Sequence, residues 1–350
     1  MKVKLKIEDH RQLLFLVENL REFYDESILK WQYFHRETST SLYLLRSEGD
    51  YIASQGMIPI YLAKGETSVL SAKSETSFLL PEHRGKGLFE DLYNYTIQKA
   101  EEDGCELIWG FTALSKVWRN KLNFEVHDGL IHETALQLNA KSAFRSTIRK
   151  DQSSFNKIKQ ITKSALDRMK NKRIPKLDGT YETKELEFSD DSISAIVGVF
   201  KEWQSNYKNY ICIETNNDYI NWRVKNNPRA KYSLLGIYSQ NVLVGYAIFN
   251  IETNYLVEFI VPRETELNEC LFSLMAFLKQ KKTYSHLNYW ASSENEYCKK
   301  VTSVLEQFGA RRYENFTMNF VRKRTKHTSF DTSEVGEFYI NGLWTEGFNI

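Results

Sequence analysis

The feature that most restricts the fold of this sequence is a short loop with two glycines, His83-Arg84-Gly85-Lys86-Gly87-Leu88-Phe89. An apolar run, Phe78-Leu79-Leu80-Pro81, precedes it and predicts the end of a strand, whereas residues 90–100 predict a helix. Glycine lets the backbone adopt left-handed dihedrals, and the first N–H groups of a helix bind anions. The loop therefore predicts a phosphate site, to which Arg84 and Lys86 add positive charge. Taken alone, it is equally compatible with an ordinary strand-to-helix turn.

Four segments in residues 1–135, this loop among them, resemble the GNAT acetyltransferase superfamily in order and spacing. The loop is similar to the family's coenzyme-A pyrophosphate loop, Arg-x-x-Gly, but has Phe89 where the family has a small residue. The second segment, Tyr51–Met57, is similar to the family's central strand with its glycine, and the third is the apolar strand Glu106–Phe111. The fourth, Lys121-Leu122-Asn123-Phe124, is similar to the family's closing segment but has Asn123 in place of its glycine. The resemblance implies acetyl-CoA as co-substrate. No metal is expected, because the histidines and cysteines lack the spacing of metal ligands. The resemblance places acetyl-CoA against Phe78, Leu79, Leu80, Arg84, Gly85, Lys86, Gly87, Leu88 and Phe89.

The second half of the chain repeats the first weakly but in the same order. Trp31 compares with Trp222, Gly56 with Gly245, Leu79-Leu80-Pro81 with Ile260-Val261-Pro262, and Lys121–Phe124 with Glu306–Gly309. Such an order indicates duplication. We therefore predict an α/β (α+β) fold of two tandem GNAT-like domains, each a mixed, mostly antiparallel sheet flanked by helices. The predicted boundaries are 1–139 for the domain with the acetyl-CoA loop, 140–178 for a basic helical linker, and 179–350 for a degenerate copy.

The second copy differs from the first at the predicted phosphate loop. Residues 263–270 read Arg-Glu-Thr-Glu-Leu-Asn-Glu-Cys, with three glutamates and no glycine. Carboxylates would repel a pyrophosphate at this place. We therefore expect the second copy not to bind coenzyme A and to supply an acceptor wall, an interface, or both.

The predicted linker is strongly basic. Residues 141–176 hold twelve Lys or Arg residues against Asp151 and Asp167, and their apolar residues recur with helical spacing. One interpretation is a helix that packs on both domains. The other is attraction to an anionic partner, either a phosphate-bearing acceptor or an acidic membrane surface, which would give peripheral membrane contact. No nucleic-acid recognition pattern accompanies the charge, so nucleic acid is not expected as a partner.

Composition narrows the class of protein. The formal net charge is only +2, and the longest apolar runs fall short of a membrane span. The four cysteines are scattered without a CxxC pair, which argues against a zinc site and against a disulfide framework. We therefore expect a cytoplasmic protein.

Two residues are candidate catalytic groups. Glu75 lies at the start of the strand before the loop, where a carboxylate could remove a proton from an amine, although an exposed strand-edge glutamate would look the same. The family commonly uses a tyrosine as general acid in the loop after the next strand. Residues 112–118 contain no tyrosine, and Ser115 is the candidate hydroxyl there; its alternative role is the N-cap of the following helix.

The stretch Trp31-Gln32-Tyr33, the glycine loop and the degenerate copy resemble bacterial acetyltransferases of surface polysaccharide synthesis. This resemblance implies transfer of an acetyl group to a small-molecule amine, an amino sugar that is nucleotide- or lipid-linked. Three alternatives stay open: a transferase for another amine such as an aminoglycoside or a protein, an aminoacyl transferase of the peptidoglycan-bridge type, against which the loop argues, and a non-catalytic coenzyme-A-binding module.

Overall fold

The fold is that of a computed structural model, which describes residues 1–4, 9–20, 24–34, 41–139, 179–325 and 331–345. The basic segment predicted as a linker, 140–178, and its helices lie outside these residues. The first half contains β1 (Lys2–Lys4), α1 (His10–Leu20), α2 (Glu26–Phe34), β2 (Ser41–Ser47), β3 (Asp50–Lys64), β4 (Thr67–Leu79), α3 (Leu88–Glu102), β5 (Leu107–Thr112), α4 (Ser115–Asn120) and β6 (Glu125–Gln137). The second half contains β7 (Tyr181–Leu186), α5 (Asp190–Asn206), β8 (Ile211–Ile213), α6 (Asn217–Ile220), β9 (Tyr232–Ser239), β10 (Val242–Asn250), β11 (Tyr255–Ile260), α7 (Leu267–Gln280), β12 (His286–Ser292), α8 (Glu296–Gln307) and β13 (Arg311–Arg324).

All described strands belong to one sheet, in the order β1-β2-β3-β4-β5-β13-β6-β12-β11-β10-β9-β7, with β8 paired to β3 outside this path. Two neighbouring pairs are parallel, β4 with β5 and β11 with β12, and the others are antiparallel. Helices pack against the sheet, so the predicted mixed, mostly antiparallel architecture flanked by helices is confirmed.

The two halves exchange their last strands. Strand β13 of the second half lies between β5 and β6, and β6 of the first half pairs with β12 of the second. Read from its two ends, the sheet gives β1-β2-β3-β4-β5-β13 and β7-β9-β10-β11-β12-β6, which are equivalent series. Each half is therefore completed by a strand from the other, while the boundaries 1–139, 140–178 and 179–350 stay a prediction.

The repeated tryptophans meet each other where the halves join. The Trp31 and Trp222 rings stack with centroids 5.3 Å apart. The Trp31 indole N–H donates to the Trp222 carbonyl at 2.9 Å, and the Trp222 indole N–H donates to the Trp31 carbonyl at 3.0 Å. Both side chains are buried, so equivalent residues of the two repeats form a reciprocal contact inside the common core.

A β-bulge distorts β4 opposite Gly56 in the centre of β3. Gly56 pairs with Glu75 and Ser54 pairs with Phe78, so Gln55 faces two residues of β4. One of them, Thr76, has a left-handed φ of 56°, and its hydroxyl shares a 2.5 Å hydrogen bond with that of Tyr33. A Cβ on Gly56 would lie 2.3 Å from the Tyr33 hydroxyl. Glycine is therefore required here by the close approach of Tyr33 to the bulge.

Ser189 caps α5, because its side chain accepts a hydrogen bond from the Ser192 N–H at 3.2 Å. All four cysteines are free and buried. No helix within the described ranges is long and apolar enough to cross a membrane.

The reciprocal tryptophan contact gives a stability prediction. Trp31→Phe and Trp222→Phe should each lower the free energy of unfolding by about 1–3 kcal/mol beyond the loss of packing, because each removes a buried hydrogen bond. Since the two bonds belong to one contact, the double variant should cost at least about 0.5 kcal/mol less than the sum. Trp290→Phe is the matched control, because the buried Trp290 indole N–H has no partner among the described residues. Urea unfolding would measure all four; single variants no less stable than the control would contradict the prediction.

The bulge gives a second prediction. Gly56→Ala should destabilise the protein by about 1–3 kcal/mol, because the added methyl overlaps the Tyr33 hydroxyl. Gly198→Ala is the control: Gly198 is in α5, and a Cβ there meets nothing within 4 Å. That change should stabilise the helix by about 0.5–1 kcal/mol. Thermal unfolding would compare the two, and equal effects would show that Gly56 is not required by its surroundings.

Candidate functional site

A cleft opens where β4 and β5 separate. The two strands pair only from Ser71 to Lys73 against Leu107 to Trp109, although β4 continues to Leu79 and β5 to Thr112. Gly110 lies at the apex of the opening, where a Cβ would come within 3.4 Å of Ser74. The resulting cavity has a volume of about 500 Å³. It is lined by Ser74, Glu75, Thr76, Ser77, Phe78, Leu79, Arg84, Gly85, Gly87, Leu88, Phe89, Glu90, Phe111, Thr112, Leu114, Val117 and Trp118.

The glycine loop lies at the mouth of this cleft. Gly85 and Gly87 have φ values of 76° and 75°, and a Cβ on either would meet nothing within 4 Å. Their dihedrals, and not crowding, therefore favour glycine. The first backbone bond of α3 runs from the Asp91 N–H to the Gly87 carbonyl at 3.0 Å, so the N–H groups at the start of the helix have no acceptor within it. Arg84 and Lys86 are exposed beside them.

Acidic residues in the first turn of α3 are neutralised by lysines from other elements. Glu90, which lines the cavity, pairs with Lys121, and this hydrogen bond lowers the pKa of the Glu90 carboxyl. Asp91 pairs with Lys2 of β1 at 2.8 Å. The mouth of the cleft therefore keeps the positive character of the loop despite two carboxylates.

The segment Lys121–Phe124 lies on the side of the sheet that α3 covers. Asn123 has a φ of 55°, the left-handed conformation that a glycine would adopt and that asparagine tolerates better than most residues. Leu122 and Phe124 pack with Trp118 in the core beneath α3. The substitution of Asn123 for glycine thus preserves the backbone geometry.

Of the residues predicted to bind coenzyme A, most lie together on the cleft. Phe78, Leu79, Arg84, Gly85, Gly87, Leu88 and Phe89 line the cavity. Lys86 is exposed on the loop without lining it, and the Leu80 N–H is used in a 3.0 Å bond to the Ile52 carbonyl. Phe89 packs against Tyr93, with ring centroids 5.7 Å apart, and forms part of the wall.

Glu75 lies beside the bulge and lines the cavity. Its Oε1 is 2.5 Å from the Nζ of Lys73, whose side chain is 1% exposed, whereas the Glu75 side chain is 20% exposed. The carboxylate thus has a fixed cationic partner on one side and access to the cavity on the other. The sequence does not identify Lys73 as a site residue, because its neighbours in β4 are mostly polar and give no signal of the face on which Lys73 lies.

Ser115 lies outside the cavity lining. It is the first residue of α4, the N-cap position is Leu114, and the Leu114 N–H donates to the Thr112 hydroxyl at 2.9 Å. The alternative reading of Ser115 as N-cap is therefore wrong. The Ser115 hydroxyl lies near Asp128, whose carboxyl pKa is lowered mainly by Arg119 and to a smaller extent by Ser115. A catalytic role for Ser115 stays a prediction that this geometry does not favour.

A pair of hydroxyl side chains lies at the inner end of the cleft, on the α3 side. Ser74 lines the cavity, is 8% exposed, and accepts a 3.1 Å hydrogen bond from Gln55 Nε2. Behind it is Tyr93 of α3, which is completely buried. Burial raises the pKa of Tyr93 well above its usual range, and the nearby Ser74 hydroxyl offsets part of that rise. Helical periodicity indicates that Tyr93 is buried but does not place it under the apex.

The equivalent cleft of the second half is filled by the chain itself. Strands β11 and β12 pair only at Tyr255–Leu256 against Asn288–Tyr289, and then separate. Residues 338–345 lie in this opening: the Ser292 N–H donates to the Ile340 carbonyl at 3.1 Å, and the Tyr339 hydroxyl donates to the Phe259 carbonyl at 3.2 Å. A Cβ on Gly342 would be 2.9 Å from the Val257 Cα, so the fit depends on glycine.

The loop of the second half is acidic, as the sequence indicates. Glu264 and Glu266 occupy a short 3-10 turn before α7, and Glu266 at the N-cap position makes no capping hydrogen bond. Glu264 pairs with Lys300 and Glu266 with Arg263. The described residues of the chain contain no cluster of His, Cys, Asp or Glu side chains suited to a metal ion.

Comparison with known proteins gives relatives by structure alone. No family model matches the sequence, and no curated protein matches it. A probable N-acyltransferase of unknown function from Enterococcus faecalis V583 aligns over 93% of this chain and 72% of its own, with 10% identity and a TM-score of 0.65. A GCN5-related N-acetyltransferase from Anabaena variabilis aligns over 93% and 72%, with 13% identity and a TM-score of 0.63. An N-myristoyltransferase from Saccharomyces cerevisiae, solved with bound myristoyl-CoA and inhibitors, aligns over 92% and 79%, with 11% identity and a TM-score of 0.58.

These likenesses extend over almost the whole chain, so they include both halves. At such low identity they concern the fold. The chain therefore has the fold of the GCN5-related N-acetyltransferases.

Proposed function

We propose that this chain is an acyl-CoA-dependent N-acyltransferase that uses acetyl-CoA and transfers its acetyl group to a primary amine. The observation that carries the proposal is the combination at one cleft of a left-handed glycine loop, an open helix N-terminus and a carboxylate at the separation of two parallel strands. Phosphate binding and proton removal are the two functions that such a transfer needs from side chains and backbone.

The mouth of the cleft suits the pyrophosphate of the co-substrate. The N–H groups at the start of α3 and the side chains of Arg84 and Lys86 supply donors and positive charge. Beyond Lys73 no residue of β4 pairs with β5, so the backbone of Phe78 and Leu79 faces the cavity and can hold the pantetheine arm.

In the proposed reaction, the amine nitrogen attacks the thioester carbonyl carbon near the apex of the cleft. Glu75 accepts a proton from the amine, directly or through water, while Lys73 fixes the orientation of the carboxylate. The new C–N bond forms, the C–S bond breaks with its electron pair on sulfur, and coenzyme A leaves through the mouth as a thiolate that water protonates. Most of the acceleration comes from holding amine and thioester together.

The inner end of the cleft favours a short acyl group. On the β4 side it is formed by Ser74, Glu75 and Thr76, whose side chains are polar, and Phe111 follows Gly110 on the β5 side. A long acyl chain would need an apolar tunnel, since each buried methylene contributes about 0.8 kcal/mol only when its surroundings are apolar. An acetyl group has no such requirement.

The acceptor is the part of the proposal that depends on sequence resemblance. That resemblance suggests an amino sugar, nucleotide- or lipid-linked, for surface polysaccharide synthesis in a bacterial cytoplasm. Aminoglycosides and protein amines are the competing acceptors, and a panel of amines distinguishes them. Binding of acetyl-CoA without turnover of any amine would instead favour a coenzyme-A-binding module.

The phosphate loop gives the first functional prediction. Isothermal titration calorimetry with acetyl-CoA should find one site per chain, because the second cleft is filled by residues 338–345. Gly87→Glu should weaken binding at least about 100-fold, since it adds a negative charge and a side chain at a left-handed position. Gly179→Glu is the control, because Gly179 also has a left-handed φ of 86° but lies outside the cleft. Wild-type affinity in Gly87→Glu would overturn the proposed loop.

The Glu75 carboxylate gives the second functional prediction. Glu75→Gln should lower kcat roughly 100-fold, as expected for loss of a general base, and leave the affinity for acetyl-CoA within about twofold. Release of free thiol in the presence of the amine panel would measure turnover. Lys73→Gln is the control, because it breaks the same ion pair and keeps the carboxylate, so its kcat should fall less. Equal losses in the two variants would assign the effect to the ion pair and remove Glu75 as the base.

A further inference from the structure

The leaving sulfur of a thioester needs a hydrogen-bond donor, and the loop at residues 112–118 offers no tyrosine for it. A hydroxyl that could serve instead lies on β4, at the inner end of the cleft. Ser74 lies opposite Gly110 at the apex, and the Ser74 oxygen already accepts a hydrogen bond from Gln55. Its own proton is therefore available to an acceptor in the cavity.

Tyr93 of α3 lies next to Ser74, on the side away from the cavity. Its hydroxyl is buried and has no hydrogen-bond partner among the described residues, and it lies next to the Ser74 hydroxyl, outside hydrogen-bond geometry. A buried hydroxyl without a partner costs about 1–3 kcal/mol, and such a group in a native fold calls for an explanation. Gln55 keeps a second acceptor, the Gly56 carbonyl at 2.9 Å, so a small shift of Ser74 toward Tyr93 leaves no amide unpaired.

We propose that Ser74 donates a hydrogen bond to the sulfur of coenzyme A, and that Tyr93 is a positioning residue that donates to the Ser74 oxygen and directs the Ser74 proton into the cleft. This inference rests on the proposed function. It gives Ser74 of β4, supported by Tyr93 of α3, the role toward the leaving sulfur for which the sequence suggested Ser115.

The step balances without an additional reactant. The amine nitrogen forms the C–N bond, the C–S electron pair goes to sulfur, and the amine proton goes to Glu75. Ser74 and Tyr93 keep their protons. Ser74 stabilises the thiolate by its hydrogen bond to sulfur, Tyr93 contributes through its hydrogen bond to Ser74, and water protonates the thiolate on release. The raised pKa of Tyr93 agrees with this role, because the phenol stays neutral and acts as a donor throughout the working pH range.

The test measures the pKa of the coenzyme-A thiol when it is bound to the full chain, by ultraviolet difference titration of the thiolate. In the wild type, the donor should lower that pKa by about one unit relative to free coenzyme A, a tenfold change in the ionisation constant. Ser74→Ala should return it to the free value, and Tyr93→Phe should give an intermediate value. The double variant should match Ser74→Ala, because Tyr93 acts through Ser74.

Tyr289→Phe is the matched control. The Tyr289 hydroxyl is also buried without a partner among the described residues, but it belongs to β12 in the second half. Both phenylalanine variants should be as stable as the wild type or more so, and only Tyr93→Phe should change the thiol pKa.

An unchanged thiol pKa in Ser74→Ala, with coenzyme A still bound, overturns the inference and leaves the proposed function standing. A Tyr93→Phe variant that loses stability and keeps the wild-type thiol pKa overturns the role of Tyr93. Failure of the wild type to bind coenzyme A overturns both the inference and the proposed function.

Discussion

The exchange of final strands between the two halves is the constraint on which the remaining structure depends. Strand β5, one wall of the open cleft, receives its second neighbour, β13, from the other half of the chain. The stacked Trp31 and Trp222 join the halves again, each donating to the backbone of the other. The position of β5 relative to β4, and hence the width of the cleft, is therefore set by residues from both halves.

The same architecture leads to opposite results in the two copies. Both have a pair of parallel strands that separate after a few residues and so leave backbone groups facing an opening. Unpaired buried backbone groups are costly, so such an opening needs either a ligand or another part of the chain. In the second half residues 338–345 provide those partners, and Gly342 allows the close contact with Val257. In the first half the opening remains a cavity of about 500 Å³.

Local signals predicted local structure well. The helix predicted over residues 90–100 is α3 (Leu88–Glu102), and Gly85 and Gly87 have the left-handed dihedrals that glycine permits. The strand exchange was not predicted, because it depends on pairing between segments far apart in sequence. For the same reason the sequence does not identify Lys73 and Tyr93 as site residues. Their residue types indicate burial or exposure, whereas their roles depend on which carboxylate or hydroxyl the fold brings beside them.

The alternation of side chains along β4 explains how one strand can present different chemistry on its two faces. Ser71 and Lys73 contact Trp109 on the face that joins the large common core, and Lys73 holds Glu75 there. Ser74 lies on the opposite face, toward Tyr93 and α3. Adjacent residues therefore provide a carboxylate on one side of the sheet and a hydroxyl on the other. In the proposed reaction, a thioester between β4 and β5 would be attacked from the carboxylate side and its sulfur would leave toward the hydroxyl. The strand itself would then separate proton removal from stabilisation of the leaving group.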